Sequence, residues 1–316
     1  IYCFHLFGSD AVAVACPKAL EVVLQKRVDK FRKDVDGTYK PFMALLGKGL
    51  VTSEGKEWFR QRALMAHKLK VDILSEIPQM AVEAVARLCQ KLDAVAASGA
   101  TVDMAEEFRH LTLQVIAKTI LSVSPTESDA TFAHMYLPIV EEGHKRTWNP
   151  LRAYIPSPAM WKYNKDVNAL NGYVTSIIEK RFALREAEAR EGVSATARRQ
   201  DILDIVIGSY KPSEWNRTAI NQVRDEMKTF ILAGHETSAS MLTWAGFESA
   251  QKSSIATRVC EEAVRTYSQS TLDKVNAALD AGKQEMEGGI LDSVNLDGLQ
   301  YAESCLMESL RKYSVV

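Results

Sequence analysis

The sequence is most informative first in what it does not contain. No apolar run comes near the roughly 20 residues that a bilayer-spanning helix needs. Neither sign of charge dominates: 39 Lys and Arg oppose 40 Asp and Glu, for a net charge of −1. With no basic stripe either, a nucleic-acid partner has no electrostatic basis. Cysteine is sparse, and Cys3, Cys16, Cys89, Cys260 and Cys305 form no Cys-x-x-Cys pair. That pattern argues against a disulfide framework and a structural zinc site, and it points to a reducing compartment. What remains is 47% hydrophobic and 25% charged, the balance of a soluble globular chain with a sizeable core. The chain opens on Ile1 rather than Met and closes at Val316 directly after a helix, so it reads as a fragment. The missing targeting segment therefore says little about the parent protein.

Proline is also absent from Thr218 to Ser253, and only two glycines interrupt that stretch. Good helix formers (Gln222, Glu226, Met227, Lys228, Leu232, Ala233, Met241, Leu242) predict one long helix, on the order of 50 Å at 1.5 Å per residue. Its middle, Phe230-Ile-Leu-Ala-Gly-His-Glu-Thr-Ser-Ala-Ser-Met-Leu-Thr-Trp244, departs from ordinary helix composition. Gly234 costs a helix interior about 1 kcal/mol relative to alanine. Glu236 is ionisable among apolar neighbours, and Thr237 can bend a helix by bonding back to a carbonyl one turn earlier. Phe230, Ala233, Gly234, Thr237 and Met241 share one stripe whose centre carries almost no side chain. Such a strip serves either close packing of a second helix or the approach of a flat ligand beside a hydroxyl and a carboxylate.

His235-Glu236 matches the first half of a zinc-protease His-Glu-x-x-His helix, but the position of the second histidine is Ala239, which excludes that chemistry. The run Ala233, Gly234, His235, Glu236, Thr237 instead resembles the central helix of the cytochrome P450 (haem-thiolate) monooxygenases. Three further features resemble the same family. Trp58 and Arg62, four apart and so on one helical face, match its Trp-x-x-x-Arg pair. Asp201-Ile-Leu-Asp, a polar loop and Arg224-Asp-Glu226 precede Phe230 in the family's order. Leu299-Gln-Tyr301 then leads to Glu308 and Arg311, a Glu-x-x-Arg pair three apart. The plainer alternative for Trp58 and Arg62 is a core tryptophan beside a surface arginine.

The resemblance implies a mainly α fold, a partial P450 domain over residues 1–316, with a long central helix and a small β region near the N-terminus. It implies haem b as cofactor, with electrons ultimately from NADPH through a reductase or ferredoxin, O2 as co-substrate and a lipophilic small molecule as substrate. Ala233 and Gly234 would form the oxygen groove, Glu236 and Thr237 would relay protons, and Trp58 and Arg62 would donate hydrogen bonds to a haem propionate. Glu308 and Arg311 would be a buried structural pair, completed by a third residue farther along. The family's axial cysteine sits in a glycine-rich loop after the Glu-x-x-Arg helix, and none of the five cysteines has that setting, so no metal ligand is expected in this chain. Glu236 preceded by His235 leans toward members acting on fatty acids or carotenoids. The parent is expected to be membrane-associated, in the endoplasmic reticulum or a plastid. A haem-free helical scaffold, from a degenerate or truncated copy, is the competing class.

Elsewhere the periodicity predicts a hairpin around Gly8-Ser9, a helix from Pro17 to Gln25, amphipathic helices over 71–97 and 102–123, and a long helix over 165–190. Residues 124–165, rich in proline and aromatics, read as an exposed connector suited to a substrate entrance or a membrane-facing lid, or as a long loop on the core. His110 reads as a surface or core histidine rather than a ligand. Residues 192–200 read as a polar linker, and 246–289 as partly helical with a glycine-containing insertion over 280–289 of unassigned role.

Overall fold

A computed structural model describes residues 1–6, 9–68, 77–192, 201–267 and 296–315, together with Thr271, Asp273 and Ala277. The linker over 193–200 and the insertion over 280–289 lie outside the described residues. The fold is mainly helical with one antiparallel hairpin, β1 (Tyr2–Leu6) and β2 (Ser9–Ala13), in the register Tyr2↔Ala13 to Leu6↔Ser9. Helices α1 (Pro17–Glu21), α2 (Met43–Leu46) and α3 (Gly55–Lys68) follow. The long elements are α4 (Ile77–Ser98), α5 (Met104–Leu121), α6 (Ala133–Trp148) and α7 (Pro158–Glu191). Then come α8 (Ile202–Ile207), α9 (Arg217–Gln251), α10 (Ser253–Thr266) and α11 (Gln300–Lys312).

Local chemistry sets where these helices begin. The side chains of Asp103, Ser157 and Asn216 each accept a hydrogen bond from the first-turn N–H groups of α5, α7 and α9. Asp201 and Asp204 form a reciprocal capping box on α8. Four-residue spacing then buries one stripe per helix: Leu113, Ala117 and Leu121 of α5; Leu170, Val174 and Ile178 of α7; Val223, Met227 and Ile231 of α9. These stripes, with Phe132, Tyr136 and Ile139, make the core. The most extensive interface is α9 along α5. It is close because Gly234 carries no side chain: a Cβ there would lie 2.6 Å from Ile116 Cδ1.

The connector over 124–165 is not one long loop. It holds the 16-residue α6, whose buried residues Tyr136, Ile139, Val140 and Gly143 recur at helical spacing despite Pro138. Helix α7 begins at Pro158, seven residues before the expected start, because Ser157 and Pro158 together make a strong N-terminus. The aromatic exposure expected there is found, with Trp148 87% and Trp161 63% exposed.

Buried charge fixes α9 against the chain over 44–53. Gly47 turns with φ +48°, and a Cβ there would collide with the Asp225 carboxylate. Lys48 N donates to Asp225 Oδ2 (3.2 Å) and Leu50 N to Glu226 Oε2 (3.0 Å). Lys228 Nζ donates to Ala44 O (2.7 Å) and Asn171 Oδ1 (2.8 Å), and Thr229 Oγ1 to Leu46 O (3.2 Å). Burial pushes the Glu226 carboxyl up to about 7 and the Lys228 ammonium down to about 8. A second charged knot joins Arg181 to Asp201 and Asp204, each at 2.7 Å, with Ser122 Oγ donating to Asp201.

Two measurements follow. Between about pH 4.5 and 7 the unfolded Glu226 has lost its proton while the folded one keeps it, so stability should fall as pH rises, by up to about 3 kcal/mol. Above about pH 8 the unfolded Lys228 holds a proton that the folded one has released, so stability should recover. Urea unfolding across this range should show the dip, and Glu226→Gln should flatten its acid side; an unchanged curve would remove Glu226 from the account. At the α5–α9 contact, Gly234→Leu should destabilise by about 2 kcal/mol through overpacking, and adding Ile116→Ala should restore much of it. Strict additivity of the two changes would mean they do not touch.

Candidate functional site

The five residues singled out on α9 face two ways. Ala233 is exposed, and Thr237 stands half-buried one turn later on the same side. The Thr237 Oγ1 donates to Ala233 O at 2.7 Å, so the hydroxyl satisfies a carbonyl of the preceding turn. Glu236 lies beside them, partly exposed, with Oε1 buried and without a hydrogen-bond partner. Gly234 and His235 face inward instead. The close approach Gly234 makes is to Ile116 of α5, so its missing side chain admits a helix. The bare surface on the open side is contributed by Ala233 with Thr237.

His235 is fully buried. Its ring meets Tyr136 edge-on at 5.6 Å between centroids, and its Nδ1 lies 3.4 Å from Glu236 Oε1. Thr112 Oγ1 donates to the His235 carbonyl at 3.2 Å, tying α5 to this turn. Burial, with the Arg109 and His110 charges nearby, pushes the imidazole down to about 4, so it is neutral at physiological pH. His110 itself is half-exposed, and the Asp129 carboxylate 3.8 Å away raises its proton affinity. No His, Cys, Asp and Glu cluster able to hold a metal ion occurs among the described residues.

Trp58 and Arg62 lie together on α3. Trp58 is half-buried, and the Arg62 guanidinium lies over its ring at 5.7 Å, with Lys33 Nζ at 5.8 Å. Arg62 is exposed and has no carboxylate partner among the described residues, so its donors are available to an incoming anion. The buried contacts over 44–53 position this helix: Ser53 Oγ donates to Gln61 Oε1 at 2.7 Å, and the same stretch is bonded to α9.

Glu308 and Arg311 pair through two hydrogen bonds of 2.7 and 2.6 Å. The expectation of a buried pair is corrected: their side chains are 63% and 72% exposed. Among the described residues α11 rests on α9 and α10 through its opposite face, where Glu248 bonds Tyr313 and Glu262 caps the backbone of Tyr301 and Ala302. The five cysteines are free: Cys89 and Cys305 are partly buried in α4 and α11, and Cys3, Cys16 and Cys260 are exposed.

The sequence reading missed the buried partners of the open face. Val223, Met227, Ile231, His235 and Ala239 all lie at four-residue spacing and are all buried, so a stripe count would have placed His235 inside. The anchoring roles of Asp225, Lys228 and Thr229 left no such signal.

These residues fit a haem in two respects: an open helical surface with only small side chains, and an indole and guanidinium available to a carboxylate. They do not include an axial thiolate. Comparison with known proteins gives the same family. The cytochrome P450 family model matches residues 1–316. Protein LUTEIN DEFICIENT 5, chloroplastic, from Arabidopsis thaliana is 27% identical over 268 residues, covering 81% of this chain and 44% of that protein. Cytokinin hydroxylase from the same organism is 27% identical over 239 residues, covering 73% and 45%. Human cytochrome P450 4X1 is 26% identical over 209 residues, covering 63% and 41%. The chain thus spans about half the length of the curated relatives it matches. The cytochrome P450DA haem domain superposes with a TM-score of 0.72 at 19% identity, covering 98% of this chain and 62% of that one, which shows the fold. With the family model matched from end to end and the central-helix motif in place, the chain belongs to the cytochrome P450 family.

Proposed function

We propose that the protein is a haem-dependent monooxygenase that inserts one oxygen atom from O2 into a lipophilic substrate. The observation that carries the reading is the open face of α9, where Ala233 is exposed, the Thr237 hydroxyl is held on the Ala233 carbonyl, and Glu236 is the next residue in the chain. Haem, when bound, would supply the redox chemistry that activates O2, with electrons ultimately from NADPH through a reductase or ferredoxin. The reading requires an axial thiolate from outside these 316 residues, since none of the five cysteines is set to provide it.

The chain's own residues would act around that group. Arg62 and the Trp58 indole N–H would donate to a propionate, the guanidinium held in place by the ring it covers. Thr237, its hydroxyl held on Ala233 O, would offer its oxygen as an acceptor and hand on protons drawn from Glu236. Glu308 and Arg311 would brace the core once covered. A fatty acid or carotenoid is the proposed substrate class, on the strength of Glu236 with His235 before it.

The exposed group of Trp148, Leu151, Tyr154, Ile155 and Trp161 supports a membrane-facing entrance in an endoplasmic-reticulum or plastid protein. It borders a cavity of about 720 Å3 lined in part by Asp34, Lys40, Arg146 and Tyr154. No helix among the described residues is long and apolar enough to cross a membrane.

A thiolate-type CO difference spectrum of the full-length protein loaded with haemin should appear; a colourless protein would leave the haem-free scaffold as the reading. Thr237→Ala should cut product by about tenfold or more while reductant is still consumed and released as peroxide. Unchanged coupling of reductant to product would remove Thr237 from proton handling.

A further inference from the structure

Where α6 meets α9, Tyr136 Oη, His235 Nδ1 and Nε2, and Glu236 Oε1 are buried on neighbouring side chains without a close hydrogen-bond partner, and the Arg109 backbone carbonyl of α5 is the other acceptor near the imidazole. Tyr136 and His235 are both fully buried, and their rings are 5.6 Å apart at 84°. The nearest approach between the polar groups of His235 and Glu236 is 3.4 Å. Orphaned polar atoms at this depth are rare in folded proteins, because leaving one unpaired forfeits the hydrogen bond it had with water. Several such atoms in one place meet the requirement for a buried water, a polar site with two to four partners. Neutral imidazole suits it, with one nitrogen donating and the other accepting.

We propose that Tyr136, His235 and Glu236 enclose an internal water that links the three side chains. Through it, Tyr136 and His235 are positioning residues for the Glu236 carboxylate. The water gives Oε1 a donor on its buried side, which aims the outer part of the carboxylate toward Thr237. Glu236 is the only one of the three that reaches the open face of α9, so the water sits behind the proposed proton-handling pair rather than within it. Its ligand chemistry is that of a small neutral donor and acceptor. The two aromatic rings and the Thr112-to-His235 hydrogen bond close the site toward the core. The positioning role rests on the monooxygenase reading; the water itself does not.

The test uses Tyr136→Phe, which removes one hydroxyl and keeps the ring. If the hydroxyl holds water, losing it should lower Tm by about 2–4 °C. If the cluster is dry, removing a buried unpaired hydroxyl should leave Tm unchanged or raise it, and the water is overturned. In a crystal structure, a solvent peak within about 3.2 Å of at least two of the four atoms supports the site, and an empty, well-ordered cluster overturns it. In turnover assays of the haem-loaded protein, Tyr136→Phe should raise the share of reductant released as peroxide about twofold or more. His235→Gln, which keeps a donor and an acceptor, should lie nearer wild type than His235→Leu. An unchanged peroxide share in Tyr136→Phe overturns the positioning role. Absence of any turnover in the wild type would count against the monooxygenase reading alone, because the thermal and crystallographic arms do not depend on it.

Discussion

The arrangement of this protein depends on one buried polar contact, between the chain over 44–53 and a single turn of α9. Asp225, Glu226, Lys228 and Thr229 point their side chains at backbone groups of a segment some 180 residues earlier. Ion pairs at a surface would contribute little, but here each charge is removed from water and satisfied by named partners. Removing one of these side chains leaves a backbone group of residues 44–50 without its partner. It also explains Gly47, where a side chain would collide with the Asp225 carboxylate, and Gly49, where one would collide with Thr229. The consequence for the site is direct: the same segment leads into α3, so the contact decides where Trp58 and Arg62 stand relative to α9.

Around that anchor, α9 divides its surface by helical phase. The stripe from Val223 to Ala239 is buried and, at His235, becomes polar without leaving the core. Nearly half a turn from His235, Ala233 and Thr237 face the open side. Glycine between them serves the inner contact, where Ile116 fills the space a side chain would have taken. One short motif thus meets two demands at once, tight packing against α5 and a bare outer surface beside a hydroxyl. Glu236 lies on the boundary, one carboxylate oxygen inside and the rest of the side chain partly exposed.

The outer elements are less enclosed. Glu308 and Arg311 form a well-made pair on the exposed side of α11, and exposed aromatics gather between α6 and the start of α7.

Much of this was legible from the amino-acid sequence because it is local. Helical periodicity marks α5, α7 and α9, whereas the caps at Asp103, Ser157 and Asn216 emerged only in the structure, which starts α7 seven residues earlier than the pattern suggested. The Ala-Gly-His-Glu-Thr run, the Trp58 and Arg62 spacing and the Glu308 and Arg311 pair were all visible as patterns. Helix α6 was not, because the prolines and aromatics of residues 124–165, among them Trp148, Pro150, Tyr154 and Pro158, read as a connector, and burial of Tyr136 and Ile139 shows the helix only in three dimensions. Tertiary structure alone decided that Gly234 admits Ile116, that His235 meets Tyr136, and that Glu226 and Lys228 are buried deep enough to shift their protonation. Those outcomes depend on which distant segment lies against each helix, and the free energy of a buried charge or an unpaired imidazole is set by neighbours in space, which spacing along one chain does not encode.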